Sequence, residues 1–140
     1  MIQMEYSMTD NAEAVIEAKN EVIEKILEMW GQYAEGAAKE NITAARRVRT
    51  GNLRNSVSHQ VELSEEAVYI GSNLEYAVYN EVGTGREYPG GRQTPWKFKD
   101  ADGNEYWTTG MVGIHFLEHA ISEHADEYNA MAQQELQSGS

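Results

Sequence analysis

Apolar and polar positions change period several times along the chain, and each change marks an element. Residues 2–6 alternate loosely, as a short edge strand does. Thr9, Asp10 and Asn11 follow as N-cap candidates, with Glu13 placed to complete a capping box. From there Val15, Ala18, Val22, Ile26, Met29, Trp30, Tyr33 and Ala37 recur at steps of three and four. This spacing predicts one long amphipathic helix over about 11–40. Glu21 and Lys25 form an i,i+4 pair within it. Gly31 and Gly36 each cost about 1 kcal/mol against alanine, so they mark a bend near Gly36 or the close approach of a neighbouring element.

The stretch from Ile42 to Val57 is polar and turn-rich, and Gly51 ends or redirects the chain. Residues 57–63 and 67–71 then read as two strands joined by Ser64-Glu65-Glu66. Leu74, Ala77, Val78 and Val82 return to helical spacing, predicting a short helix over 73–82. Residues 83–95 are glycine-rich and hold both prolines, which reads as an ordered loop or a mobile arm. Residues 96–99 and 105–109 flank a turn containing Asp102-Gly103, a hairpin signal. Gly110 and Gly113 bound a linker. A last helix runs from about Ile114 to 134, with Phe116, Leu117, Ala120, Ile121, Ala125, Tyr128 and Met131 inward. Residues 137–140 read as a disordered tail. The predicted class is α+β: a long N-terminal helix and a C-terminal helix packed on a small antiparallel sheet, with the 83–110 loop and hairpin projecting. Residues 1–136 read as a single domain, consistent with a total of 140 residues.

Composition narrows the function classes. Without cysteine there is no disulfide framework and no thiolate zinc site. No apolar run reaches the roughly 18 residues of a membrane span, and MIQMEYSMTD lacks the basic and apolar regions of a secretory signal. A net charge of -12 opposes free binding to nucleic acid or to anionic membranes. The charge is uneven, however. Residues 46–60 hold four arginines (Arg46, Arg47, Arg49, Arg54) and no acid. These can touch phosphate, or pair with an acidic face of a partner or of another copy.

His115-Phe116-Leu117-Glu118-His119 fits H-x-x-E-H, a zinc hydrolase pattern. On one helix the two histidines share a face, but a catalytic site needs a third ligand, and no downstream segment obviously supplies one. The plain alternative is an amphipathic helix whose polar face meets solvent or a neighbour. Asp100, Asp102 and Asn104 begin like a calcium loop, yet the glycine falls at the fourth place rather than the sixth. Gly83, Gly85, Gly90 and Gly91 match neither a Walker A loop nor a dinucleotide fingerprint. Trp96, Phe98, Tyr106 and Trp107 crowd one hairpin, either as cross-strand pairs on the core or as interface anchors. No Ser–His–acid or Cys–His arrangement is visible, and no cofactor is indicated.

Three segments resemble one family. They are Arg49-Thr50-Gly51-Asn52-Leu53-Arg54-Asn55-Ser56-Val57, then Tyr76-Ala77-Val78-Tyr79-Asn80-Glu81-Val82-Gly83-Thr84-Gly85, then Gly91-Arg92-Gln93-Thr94-Pro95-Trp96. With Phe116-Leu117-Glu118-His119-Ala120 opening the last helix, the order is similar to that of tailed-phage (siphophage) head–tail joining, neck, tail-completion or minor tail-component proteins. One departure is His115, where that family usually has proline. The resemblance extends over nearly the whole chain. It implies a non-catalytic virion protein that forms a homo-oligomeric ring of six-fold symmetry between head-closure and tail-terminator neighbours. It also implies assembly in the bacterial host cytoplasm, no membrane, no metal or cofactor, and at most nonspecific passage of DNA. The expected interface residues are Arg46, Arg47, Arg49, Arg54, Tyr88, Arg92, Trp96, Phe98, Tyr106 and Trp107.

Overall fold

The computed structural model describes residues 4–7, 20–47, 51–74, 76–99 and 103–138. The predicted cap at 9–13, the first helical turns with Val15 and Ala18, the hairpin turn at 100–102 and Arg49 lie outside these residues. The class is α+β, as the sequence pattern requires. Strand β1 (Met4–Ser7) precedes helix α1 (Asn20–Ala44), α2 (Asn52–Ser56), β2 (Ser58–Glu62), β3 (Ala67–Ser72) and α3 (Ala77–Val82). Strands β4 (Trp96–Lys99) and β5 (Glu105–Thr108) form the hairpin, and α4 (Phe116–Ser122) and α5 (Ala125–Ser138) end the described chain.

The larger sheet has the order β1-β3-β2, with both pairings antiparallel. Central β3 is buried at Ala67, Val68, Ile70, Gly71 and Ser72, as a strand with neighbours on both edges and a helix above should be. The connection between β2 and β3 is a 3-10 turn at Leu63–Glu65 closed by Glu66 in a left-handed conformation.

Helix α1 packs on β2 and β3 and also on α4 and α5. It therefore buries a wider arc than one stripe. Ile23, Ile26, Leu27, Trp30, Gly31, Ala34, Ala37, Ala38 and Ile42 are inside. The predicted stripe was centred one residue too early: Val22 and Met29 are half-buried and Tyr33 sits at the surface. The helix also does not break at Gly36, where nothing lies within 4 Å, and it continues to Ala44 because Ala37, Ala38 and Ile42 keep burying the same face. Gly31 does mark a close approach. A Cβ there would strike the His59 ring and Val68, so glycine is what lets β2 and β3 reach the helix. Lys25 turns to Glu135 of α5, at 3.0 Å.

The predicted last helix is two helices. Glu123 and His124 interrupt it, and α5 turns to lay Tyr128 and Ala132 against α1 while Ala125 faces solvent. Two hydrogen bonds fix that turn: Trp30 Nε1 donates to the Tyr128 carbonyl at 2.8 Å, and the Tyr128 hydroxyl donates to the Ala120 carbonyl at 2.6 Å. Burial holds the Tyr128 hydroxyl well above the ordinary phenol pKa. Helix α5 includes Gln137 and Ser138, two residues of the expected tail.

Candidate interface site

The hairpin register pairs Trp96 with Thr108, Lys97 with Trp107, Phe98 with Tyr106 and Lys99 with Glu105. Because side chains alternate across a strand, Trp96, Phe98, Tyr106 and Thr108 share one face. Lys97, Lys99, Glu105 and Trp107 share the other. The first face forms one wall of a groove of about 590 Å³, whose opposite wall includes Tyr76, Tyr79, Asn80 and Met111. The Phe98 and Tyr106 rings stand 5.2 Å apart, and the Arg92 guanidinium lies 5.7 Å from the Trp96 ring centre. Neither ring of the Phe98–Tyr106 pair belongs to the core. Phe98, Tyr106 and Trp107 are exposed and Trp96 is half-buried, so these aromatics do not pack in the core.

The glycine-rich loop is pinned rather than projecting as an arm. The Thr84 amide donates to the Met111 carbonyl at 2.8 Å, the Met111 amide donates to the Thr84 hydroxyl at 2.9 Å, and the Arg86 amide donates to the Thr109 carbonyl at 2.9 Å. Gly85 and Gly110 make this seam possible. Both have positive φ, 59° and 133°, and a Cβ on either would strike backbone of the facing strand. Further on, Arg86 Nε donates to the Gln93 carbonyl, and Arg92 donates to Thr94 and to the Pro95 carbonyl.

Of the arginines of the basic segment, the described residues include Arg46, Arg47 and Arg54, and these three are not alike. Arg47 reaches inward, donating to Asn80 Oδ1 at 3.0 Å and to the Val112 carbonyl at 2.6 Å. It ties the end of α1 to α3 and to the strand-like segment before α4, and burial lowers its pKa from the ordinary arginine value. Arg46 and Arg54 are exposed. Tyr88 is exposed beside the loop.

One functional side chain escaped the sequence reading. Glu81 is fully buried. Its carboxylate accepts the Leu117 amide at 2.8 Å and the Glu118 amide at 3.1 Å, so it caps α4 from another element. The helix needs this because its own N-cap, His115, makes no capping bond. The clue in the sequence was position: Glu81 stands four residues after Ala77, on the same helical face as that buried alanine.

His115 precedes α4 with φ of 49° instead of lying on it, so the two histidines of H-x-x-E-H do not share a helical face. Their rings are 5.8 Å apart between centres. His119 turns toward Glu123, at 3.5 Å. Ligand atoms of Glu81, His115 and Glu118 do lie within 4.8 Å of one another. His115 Nδ1 is 3.2 Å from a Glu118 oxygen, but off the hydrogen-bonding direction, and it has no hydrogen-bond partner.

A family model described as "Bacteriophage HK97-gp10, putative tail-component" matches residues 7–83, just over half of the chain. The chain belongs to this family. No curated protein and no solved structure matches it. The tail-component match takes in the Thr50-Gly51 segment and most of the Tyr76–Gly85 segment, but it stops before the hairpin and α4. Tyr76, Tyr79 and Asn80 of the groove fall within the match, and the rest of its lining lies beyond it. His115, at the position where proline was expected, has a φ that a proline ring cannot adopt. No helix among the described residues is long and apolar enough to cross a membrane.

Proposed function

We propose that this tail component is a non-catalytic, single-domain ring subunit of the virion neck that joins head to tail. The observation that supports the reading is the aromatic hairpin. Monomeric proteins seldom expose a contiguous apolar patch without a partner for it, and this one is rich in the Trp, Tyr and Arg that anchor interfaces. Six copies in a ring, meeting head-closure and tail-terminator neighbours, would cover it. Arg46, Arg49 and Arg54 are proposed to meet acidic partner surfaces, whereas Arg47 serves the fold. The acidic chain lets DNA pass without adhesion. Mass by light scattering over a concentration series, with and without a neck neighbour, tests the reading together with head–tail complementation. Association that rises with concentration is expected. A strictly monomeric particle that also fails complementation removes the reading.

A second reading, a metal-dependent hydrolase, has one observation in its favour: ligand atoms of Glu81, His115 and Glu118 lie within 4.8 Å of one another, although His119 of the sequence pattern is not among them. Against it, both Glu81 oxygens already accept backbone amides, and the cation would sit at the positive end of α4. Metal analysis of the purified protein decides it, since protein without stoichiometric zinc ends this reading.

A further inference from the structure

The two faces of the β4–β5 ribbon are a projecting indole on one side and a socket wall on the other. Trp107 is 69% exposed, the highest value among the exposed large hydrophobic side chains described. The groove on the opposite face is lined by aromatic rings and is about 590 Å³. That is within the roughly 300–1,000 Å³ of pockets that enclose large groups. Strand alternation points the two surfaces away from each other, so Trp107 cannot enter the groove of its own copy. We propose, on the ring-subunit reading above, that Trp107 of one copy inserts into the aromatic groove of the next.

The chemistry of the groove suits an indole. Phe98, Tyr106, Tyr76 and Tyr79 offer ring edges and faces. Arg92, already over Trp96, offers a cation against a second ring. Charge favours the same partner. The Trp107 face carries Lys97 and Lys99 against a single acid, Glu105, which Lys97 pairs at 2.9 Å. That is a small positive surface on a chain of net charge -12. A second copy, acidic overall, suits that surface. A second copy of this chain is therefore the occupant we take, since it brings both an exposed indole and an aromatic groove to the contact. Unlike patches in contact make a heterologous interface, which repeats around a ring or along a filament.

The test uses the full chain in three forms: the parent, Trp107→Ala without the knob, and Phe98→Ala/Tyr106→Ala without the socket wall. The substituted residues are exposed, and circular dichroism confirms that each variant folds. Sedimentation velocity over a concentration series should show each variant self-associating at least about thirty-fold more weakly than the parent, the loss expected for an anchor residue. An equimolar mixture of the two variants should recover a dimer and stop there, because only one knob and one socket remain. A Trp107→Ala protein that assembles like the parent overturns the proposal while leaving the ring reading intact. So does a mixture that stays monomeric. A parent that is monomeric at every concentration also overturns the contact, and the ring reading then falls only if complementation fails as well.

Discussion

Trp30 in α1 is 1% exposed and Trp107 in β5 is 69% exposed, and the regions around them are built on different rules. Around Trp30 one buried cluster joins Ile26 and Leu27 of the same helix to Phe116 and Leu117 of α4 and to Val68 and Ile70 of β3. Even the indole N–H has its acceptor. In the hairpin around Trp107, Phe98 and Tyr106 pair across the strands and remain exposed. Two strands cannot bury that much ring surface by themselves. The first region spends its apolar surface on folding. The second keeps it available, held in place by a backbone seam and not by packing. On the proposed ring reading, the subunit is stable before assembly and adhesive during it, and these two regions divide those tasks.

The sharpest way to break this comparison is to truncate the core tryptophan. Trp30→Ala should lose about 3–5 kcal/mol of stability in denaturant unfolding, since it removes the largest buried side chain and its hydrogen bond to the Tyr128 carbonyl. A loss under 1 kcal/mol would mean the core is not centred on α1. Next in size is Glu81→Gln, which keeps one acceptor oxygen and sets an amide donor against one of the two backbone N–H groups. We expect about 1–3 kcal/mol, with the loss of amide exchange protection concentrated at Leu117 and Glu118.

A smaller effect depends on pH. His59 in β2 lies between two α1 carboxylates, with Nε2 2.6 Å from Glu28 and Nδ1 3.0 Å from Glu35. Burial pulls the His59 pKa down, but the hydrogen bonds to Glu28 and Glu35 outweigh it and the net shift is upward. Glu28 is lowered chiefly by its bond to His59. Glu35 is raised by burial, yet its bonds to His59 and Lys39 bring it below the ordinary value. The raised histidine stabilises fully below its unfolded pKa of about 6.5 and loses that contribution as pH rises through the folded value. The lowered carboxylates stabilise above about 4.5 and lose it as pH falls through their folded values. The advantage of the parent over His59→Gln, on the order of 1 kcal/mol, should therefore be greatest between about pH 4.5 and 6.5 and shrink toward pH 8. An advantage that grows above pH 7 would contradict the charged histidine.

Smallest of all, Trp107→Ala should move the unfolding free energy by no more than about 0.5 kcal/mol, as an exposed substitution does. A loss of several kcal/mol would put the hairpin in the core and erase the distinction drawn here.

Most of the element order of the described chain was legible in local spacing, but the short helix α2 (Asn52–Ser56) falls in a stretch read as turn-rich, because it depends on Leu53 being buried against the core. The hairpin at 96–99 and 105–108 was set by Asp102-Gly103 between aromatic runs, and the strands around 58–62 and 67–72 by their alternation. Period alone fixes such elements because it depends on neighbours a few residues away. The arc of α1, the break at Glu123 and His124, the burial of Glu81 and the division of the aromatics between groove and outer face were decided by the tertiary structure. Each depends on groups far apart in sequence. Trp30 meets the Tyr128 carbonyl, Glu81 meets the start of α4, and Tyr76 and Tyr79 face Phe98 and Tyr106 across the groove. A one-dimensional pattern records which side chains are apolar or charged. Only the packed chain decides which of them water still reaches.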